Sequence, residues 1–303
     1  MEQNFETCLY NVVDAAKIQK DEPMKKHTTF RIGGSADYFI MPSNEKELAE
    51  TIRVCRKFSI PIYIVGNGSN LLVGDKGFRG AIIQLYKSMG TFQVEGNQIT
   101  AQAGCSLAQI ANAALDAALT GFEFAAGIPG TLGGAVVMNA GAYGGEMKDV
   151  LTSVRVMTEE GEIMELPAEK LGLGYRTSII PEKRYIVLGA VISLTEGKKE
   201  EIKAQMDDLR QKRVSKQPLE YPSAGSTFKR PEGYFAGKLI QDSGLKGFTV
   251  GGAQVSEKHS GFVINKGNAT AADVMELIRQ VTAKVKEDTG VTMEPEVKQI
   301  GEF

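Results

Sequence analysis

GFEFAAGIPGTLGGAVVMNAGAYGG, residues Gly121 to Gly145, holds eight glycines interleaved with apolar residues and a single proline. Glycine reaches positive φ at no steric cost and has no Cβ, so successive main-chain amides can point into one concavity that favours negative charge. One or two glycines would mark tight turns between short strands. Eight in one run describe a buried binding loop, a cradle for a phosphate-bearing ligand. The run does not match G-x-x-x-x-G-K-[ST]. The nearest G-x-G, Gly66-Asn67-Gly68, meets Leu71 where a third glycine would be needed, which argues against a P-loop or Rossmann site.

Outward from the cradle, periodicity supplies the frame. Asn44 with Glu47 caps a helix whose apolar positions Leu48, Ile52, Cys55 and Phe58 recur at helical spacing up to Pro61. Ile60 to Val65 is a buried strand running into Gly66-Asn67-Gly68-Ser69-Asn70, a strand-then-glycine turn of the kind at which α/β folds place ligands. Ala81 to Leu85 and Phe92 to Ala103 read as further strands, and Ser106 with Gln109 forms a capping box for a helix through Leu119. Val154 to Leu166 is a hairpin turning at Glu159-Glu160-Gly161, and Tyr185 to Leu194 a long strand.

After Thr195 the composition changes. GKKEEIKAQMDDLRQKRVSKQ is a charged amphipathic helix linking two bodies, with a domain boundary near residue 205. A Ser/Gly turn (Pro222 to Thr227), a short helix (Ala236 to Gln241), and strands at Val250 to Val255 and Gly261 to Asn265 follow. A last helix starts at Thr270 with Asp273 three residues on, carries Val274, Leu277, Ile278, Val281 and Val285 on one stripe, and stops at Gly290. Glu294 to Val297 is extended.

With 303 residues the chain has room for two or three domains. A net charge of −2 with dispersed Lys and Arg gives no nucleic-acid face and no polybasic membrane patch. Three separated cysteines (Cys8, Cys55, Cys105) without metal-like spacing fit a reducing cytoplasm. The N-terminal residues lack a signal-peptide core, and no segment approaches the roughly 20 apolar residues that cross a bilayer. With only His27 and His259 and no clustered cysteines, no zinc site is expected.

Six blocks, HTTFRIGG (27–34), GNGSNLL (66–72), AGIPGTLGGAVVMNAGAYGGE (126–146), GYRTS (174–178), AGSTFKRP (224–231) and EPEV (294–297), closely resemble the UDP-N-acetylenolpyruvoylglucosamine reductase family of flavoenzymes. They stand in the family's order and cover the chain from about His27 to Ile300. The resemblance implies an α+β protein: a two-subdomain FAD-binding fold of the PCMH or vanillyl-alcohol-oxidase-like kind (1–85 and 86–205) plus a C-terminal α+β substrate domain (206–303). It implies FAD, NADPH as reductant, and UDP-N-acetylglucosamine-enolpyruvate as a small-molecule substrate, reduced to UDP-N-acetylmuramate for peptidoglycan. The chain is expected to be a cytoplasmic monomer without nucleic-acid or membrane partners, of the shorter subclass that lacks a substrate-covering tyrosine loop.

Cofactor contacts are expected from Gly66, Asn67, Gly68, Ser69, Asn70 and Leu71, and from Gly127, Ile128, Pro129, Gly130, Thr131, Gly133, Gly134, Asn139, Ala140 and Gly141. By resemblance Arg176 stabilises the charge that develops when hydride reaches the enolpyruvyl C3, Ser226 protonates C2, and Glu296 assists. The residue types suit these tasks: a guanidinium fork fits a carboxylate or enolate, and a hydroxyl can protonate a carbanion. The residues alone leave alternatives open. An isolated arginine is ordinarily a surface or ion-pairing group, Ser223 and Ser226 flank Gly225 as turn residues would, and Glu294 and Glu296 share one face of an extended segment. Substrate contacts are expected from Tyr175, Lys216 and His259, against the plainer readings of a structural tyrosine, a surface lysine and a surface histidine. Arg230 stands where some relatives carry Asn. Two other functions compete: an alcohol or hydroxy-acid oxidase on the same flavin fold, and a nucleotide-binding module without redox activity.

Overall fold

The computed structural model describes residues 4–303; the first three residues of the segment expected as 1–85 lie outside the described residues. The chain divides into two compact units, each assembled from separated stretches. One comprises the residues up to Gln19, Phe39–Asn67 and Ala81–Arg213, the other Lys20–Tyr38, Gly68–Gly80 and Val214–Phe303. Residue 205 falls inside the helix Lys199–Lys216, and the division comes between Arg213 and Val214.

In the first unit the expected cap of the helix Glu45–Lys57 forms: the Asn44 side chain accepts from Glu47 N–H, and Leu48, Ile52, Val54 and Cys55 are buried. Phe58 at its end packs edge-on against Phe5, which belongs to the short helix Phe5–Tyr10. Ile62–Val65 pairs in parallel with Ala81–Gln84. An antiparallel sheet orders the strands Ile163–Pro167, Leu151–Met157, Ile186–Ser193, Gln98–Gln102 and Phe92–Glu95. Ile186–Ser193 is central and buried along most of its length, as its unbroken apolar run requires.

Three expectations change here. Phe92 to Ala103 is a hairpin, because Gly96-Asn97 supplies a turn within the β-prone run, with Gly96 at φ +58°. The capping box at Ser106 and Gln109 forms, yet the helix runs only Leu107–Asp116, and Leu119–Thr120 leaves it to pair with Thr195–Glu196. Lys199–Lys216 is helical, but Ile202 is its one buried residue, so its apolar stripe is thinner than an amphipathic helix implies.

The second unit is a sheet of Ser223–Ser226, Phe262–Asn265, Ala253–Val255 and Thr249–Val250 in that order, covered by the helices Ala236–Asp242 and Ala271–Thr289. Val250 to Val255, expected as one strand, turns at Gly251-Gly252 into two. Val274, Leu277, Ile278, Val281 and Val285 enter the core as the stripe predicts, joined by Leu239, Ile240, Val255 and Val263 and by Phe30, Ile32 and Leu72 from the N-terminal stretches. Lys298–Ile300 pairs in parallel with Leu71–Val73. The long helix begins in a Thr270–Asp273 capping box and ends at Gly290 in the left-handed conformation. The Asp75 carboxylate adds a second cap, accepting from Ala271 N–H at 2.7 Å and Ala272 N–H at 2.9 Å. These are donors that the first helical turn cannot satisfy internally.

Candidate functional site

The glycine run is not loop throughout. Leu132–Met138 is helical, started by extended Thr131 and ended by Asn139 at φ +44°. Gly133 and Gly134 are poor helix formers, but tertiary bonds hold the first turn: Leu132 N–H donates to Cys105 O at 2.8 Å, Gly133 N–H to Ala103 O at 2.9 Å, and Leu107 N–H to Gly130 O at 3.1 Å. Gly134 is exposed, and the nearest atom to a Cβ built there is Thr131 Oγ1 at 3.8 Å, so its main chain is open to a ligand.

The Gly66-Asn67 turn is latched to the run. Asn67 Nδ2 donates to Pro129 O at 2.8 Å, Gln84 Nε2 to Gly66 O at 3.2 Å, and a Cβ at Gly66 would stand 2.2 Å from Thr131 Oγ1. Only glycine permits that approach. Main-chain amides at side-chain-free positions suit the oxygens of a dinucleotide pyrophosphate; Gly133 N–H is committed to Ala103 O, Ile128 N–H to Ala125 O, and Pro129 has no N–H, so it is Gly66, Asn67, Gly127, Gly130 and Gly134 whose main chain fits FAD. Sequence reasoning missed one cation here. Arg213 lies with its Cδ 3.3 Å from the Cβ position of Gly127, and burial pushes its guanidinium below the ordinary value. Nothing local distinguishes it from the other charged residues of its helix.

Asn139 has a different local role from the glycines around it. It is 1% exposed, its Nδ2 donates to Glu146 Oε2 (2.9 Å) and Gly174 O (3.0 Å), and its Oδ1 accepts from Lys148 N–H (2.9 Å). Its amide side chain is thus committed to the protein, tying the run to the reversal at Tyr175-Arg176. Gly174 and Thr177 exchange backbone bonds across that reversal, and Ser178 Oγ donates to Val137 O at 2.7 Å. Arg176 sits at φ +54°, a conformation that a non-glycine residue holds only where its surroundings impose it. Its guanidinium lies 5.3 Å from the Tyr175 ring, and Nη2 donates to Gly141 O at 3.4 Å. The Lys148 ammonium holds the Glu146 carboxyl below the usual carboxylate range; Asn139 and the Arg176 charge add to this, and partial burial opposes it.

In the second unit, four segments distant in sequence meet. Ser226 ends its strand opposite Phe262, after an irregular step at Gly225, and is exposed. The chain beyond it lies against Glu294–Glu296: Glu296 N–H donates to Thr227 O at 2.7 Å, Lys229 N–H donates to Glu294 O at 2.8 Å, and Phe228 bridges Pro295. Asn70 Nδ2 donates to Glu296 O at 3.2 Å. Gly68, at φ +61°, accepts at its carbonyl from Thr29 N–H, and a Cβ there would meet His27 O at 2.2 Å. Thr29 Oγ1 donates to Ser223 O at 2.7 Å. The segment that follows Ser226 and the stretch Glu294–Glu296 are therefore joined by main-chain bonds, while the Asn70 side chain ties residue 70 to Glu296 and the Thr29 side chain ties the Gly68 turn to Ser223. Glu294 forms an ion pair with Lys229 at 2.9 Å.

His259 stands on the turn leading to Phe262. Its Nδ1 accepts from Gly261 N–H at 3.1 Å, which places the remaining ring proton on Nε2, and burial pushes the imidazole below its ordinary value. Phe262 packs edge-on against it at 5.0 Å. Neighbouring Lys258 donates to Val214 O at 2.7 Å, near the end of the helix that Lys216 terminates. Lys216 itself is exposed. No group of His, Cys, Asp and Glu among the described residues could hold a metal ion, and no helix among them is long and apolar enough to cross a membrane. None of the three cysteines is in a disulfide.

Two family profiles match: an FAD binding domain over residues 36–167, and the C-terminal domain of UDP-N-acetylenolpyruvoylglucosamine reductase over residues 217–300. A UDP-N-acetylenolpyruvoylglucosamine reductase of Agathobacter rectalis is 54% identical, over 100% of both chains. The crystal structure of UDP-N-acetylenolpyruvylglucosamine reductase (MurB) from Thermus caldophilus superposes with a TM-score of 0.80 at 37% identity, covering 93% of this chain and 97% of that one. A berberine bridge enzyme variant shares the fold alone, at TM-score 0.50 and 17% identity over 65% of this chain and 44% of its own. The α+β architecture with an FAD-binding fold and a further C-terminal domain is thereby borne out.

Proposed function

The chain belongs to the UDP-N-acetylenolpyruvoylglucosamine reductase family and is an FAD-binding oxidoreductase; on that footing we propose that it reduces UDP-N-acetylglucosamine-enolpyruvate with NADPH, giving UDP-N-acetylmuramate for peptidoglycan synthesis. Bound FAD would supply the redox chemistry, taking hydride from NADPH and delivering it to C3 of the enolpyruvyl group. We assign cofactor contact to residues 66–71, 127–131, 133–134 and 139–141, with main-chain donors coming from glycines such as Gly127, Gly130 and Gly134 and with the Asn139 side chain acting as the strut that sets the cradle's far end.

Hydride addition at C3 leaves negative charge on C2, delocalised into the carboxylate. Arg176 stabilises that charge with a guanidinium whose direction is set by its constrained backbone. Ser226 donates the proton to C2, a step for which a positioned general acid typically contributes about 10²- to 10⁴-fold. Glu296 polarises the carboxylate end. Tyr175, Lys216 and His259 contact the substrate, His259 as a neutral Nε2–H donor. We assign 1–85 and 86–205 to cofactor binding and 206–303 to substrate binding, in a cytoplasmic monomer of the shorter subclass.

The observation that carries the reading is the backbone pairing of the segment after Ser226 with Glu296, within a family match that spans the chain. Purified protein should be yellow, bleach with NADPH, and recolour anaerobically only when the enolpyruvyl substrate is added. Ser226→Ala should bleach and fail to recolour. Bleaching that any oxidisable alcohol brings about would favour an oxidase instead.

A further inference from the structure

Asn67-Gly68 is the one Asn-Gly pair in the chain, and the fold pins both members. The Asn67 side chain latches its turn to the glycine run, Nδ2 donating to Pro129 O at 2.8 Å. Gly68 stands at φ +61°, where a Cβ would meet His27 O at 2.2 Å, so only glycine can follow Asn67. Asn67 is partly exposed, and the Gly68 N–H donates to no group among the described residues. A main-chain nitrogen without a hydrogen bond, on a residue without a side chain, thus follows directly on a side-chain amide. That is the arrangement in which an asparagine amide is most open to intramolecular attack. Asn97, exposed in its hairpin turn, is followed by Gln98, whose Cβ hinders the same approach.

We propose that Asn67 is a deamidation site whose conversion makes loss of the cofactor irreversible. The Gly68 nitrogen, giving its proton to solvent base, bonds to Asn67 Cγ; the Cγ–Nδ2 bond breaks, and Nδ2 leaves as ammonia, taking a proton from solvent. Water then opens the cyclic imide at either carbonyl, leaving aspartate at 67 or its iso form, in which the main chain runs through Cγ. No oxidation or reduction is involved. Either product lacks the N–H that Pro129 O accepts, and its carboxylate stands beside main-chain donors assigned to the pyrophosphate. This rests on the reading above that residues 66–71 contact FAD: an occupied turn keeps its latch shut, and a vacated one frees the amide to react.

Holding the full-length protein at mildly alkaline pH with and without excess FAD, and mapping its peptides by mass spectrometry, tests this. The peptide carrying Asn67 should gain the mass difference of amide to acid, severalfold faster without added FAD, while the Asn97 peptide lags in both. Converted protein, separated by its added negative charge, should be colourless and stay so when FAD is supplied. Asn67→Asp, the product made directly, should bind FAD about 10-fold or more weakly by flavin fluorescence, the range of one hydrogen bond left unmade. Asn67→Gln keeps an amide but would have to close a larger ring, and should gain no mass at 67. Conversion of Asn67 no faster than that of Asn97, equal rates with and without FAD, or converted protein that takes up FAD as well as the unconverted overturns the proposal. If the wild type takes up no FAD, the cofactor reading fails and the irreversibility with it, whereas the mass gain at Asn67 still decides the modification itself.

Discussion

Replacing Asn139 with alanine should be among the most damaging single changes in the first unit. The side chain is 1% exposed and makes three bonds, to Gly174 O, Lys148 N–H and the Glu146 carboxylate. Two neutral bonds contribute about 1 kcal/mol each, and the bond to a carboxylate at least about 1.5 kcal/mol. Alanine at φ +44° adds about 1 kcal/mol, because its Cβ crowds the following carbonyl. The expected loss is therefore about 4 to 5 kcal/mol in urea unfolding followed by far-UV circular dichroism. Asn139→Gly removes the same bonds without the backbone strain and should be about 1 kcal/mol more stable than Asn139→Ala. The Gly174 carbonyl would lose its anchor in both variants, so the reversal carrying Tyr175-Arg176 should loosen and recolouring of the reduced protein should slow. A loss under about 1 kcal/mol for Asn139→Ala would show that these bonds do not hold the run and refute the strut argument.

Three further outcomes follow from the second unit and from the thiols. Asp75→Ala leaves two first-turn N–H groups of the helix Ala271–Thr289 without their carboxylate and should cost about 1 to 2 kcal/mol by chemical denaturation. The neutral form of His259 is favoured by burial, so its folded pKa lies below the ordinary 6.5. The unfolded chain then binds the proton first as pH falls, and stability should decline from about pH 6.5 downward until the folded group titrates as well, a slope that His259→Gln abolishes. Burial pushes the Cys55 thiol up to about 12 and the Cys105 thiol up to about 11, whereas Cys8 is only half-buried. A thiol reagent should therefore label Cys8 alone in the native protein and all three cysteines after denaturation.

Local signals carried much of this architecture. Asn44, Ser106 and Thr270 cap helices because each places its oxygen within reach of the third residue on, a relation written in four consecutive letters. The stripe from Val274 to Val285 reports burial for the same reason. What escaped reading was nonlocal. The helix Leu132–Met138 forms across two glycines because Cys105 and Ala103 carbonyls receive its first amides, and no window around Gly133 contains those partners. Asp75 caps a helix some 196 residues further on. Asn139, placed by motif among the cofactor ligands, has a side chain occupied by Gly174, Glu146 and Lys148, which its neighbours in sequence do not reveal. Arg176 was named by resemblance, but its left-handed backbone is a property of the tight Gly174–Thr177 reversal.

The chain passes between its two units five times, at 19/20, 38/39, 67/68, 80/81 and 213/214. For the second unit this sets an order of events during synthesis. Phe30, Ile32 and Leu72 emerge early but belong to a core whose other members begin at Ala224, and Leu71–Val73 has to wait for Lys298–Ile300 before it acquires a strand partner. Such closure over more than two hundred residues is slow compared with local helix formation. The nascent polypeptide must therefore keep those early apolar segments shielded until translation is almost finished. A cut at Arg213 would yield a C-terminal piece lacking part of its own interior, and supplying the missing residues 20–38 and 68–80 in trans would be the requirement for restoring it.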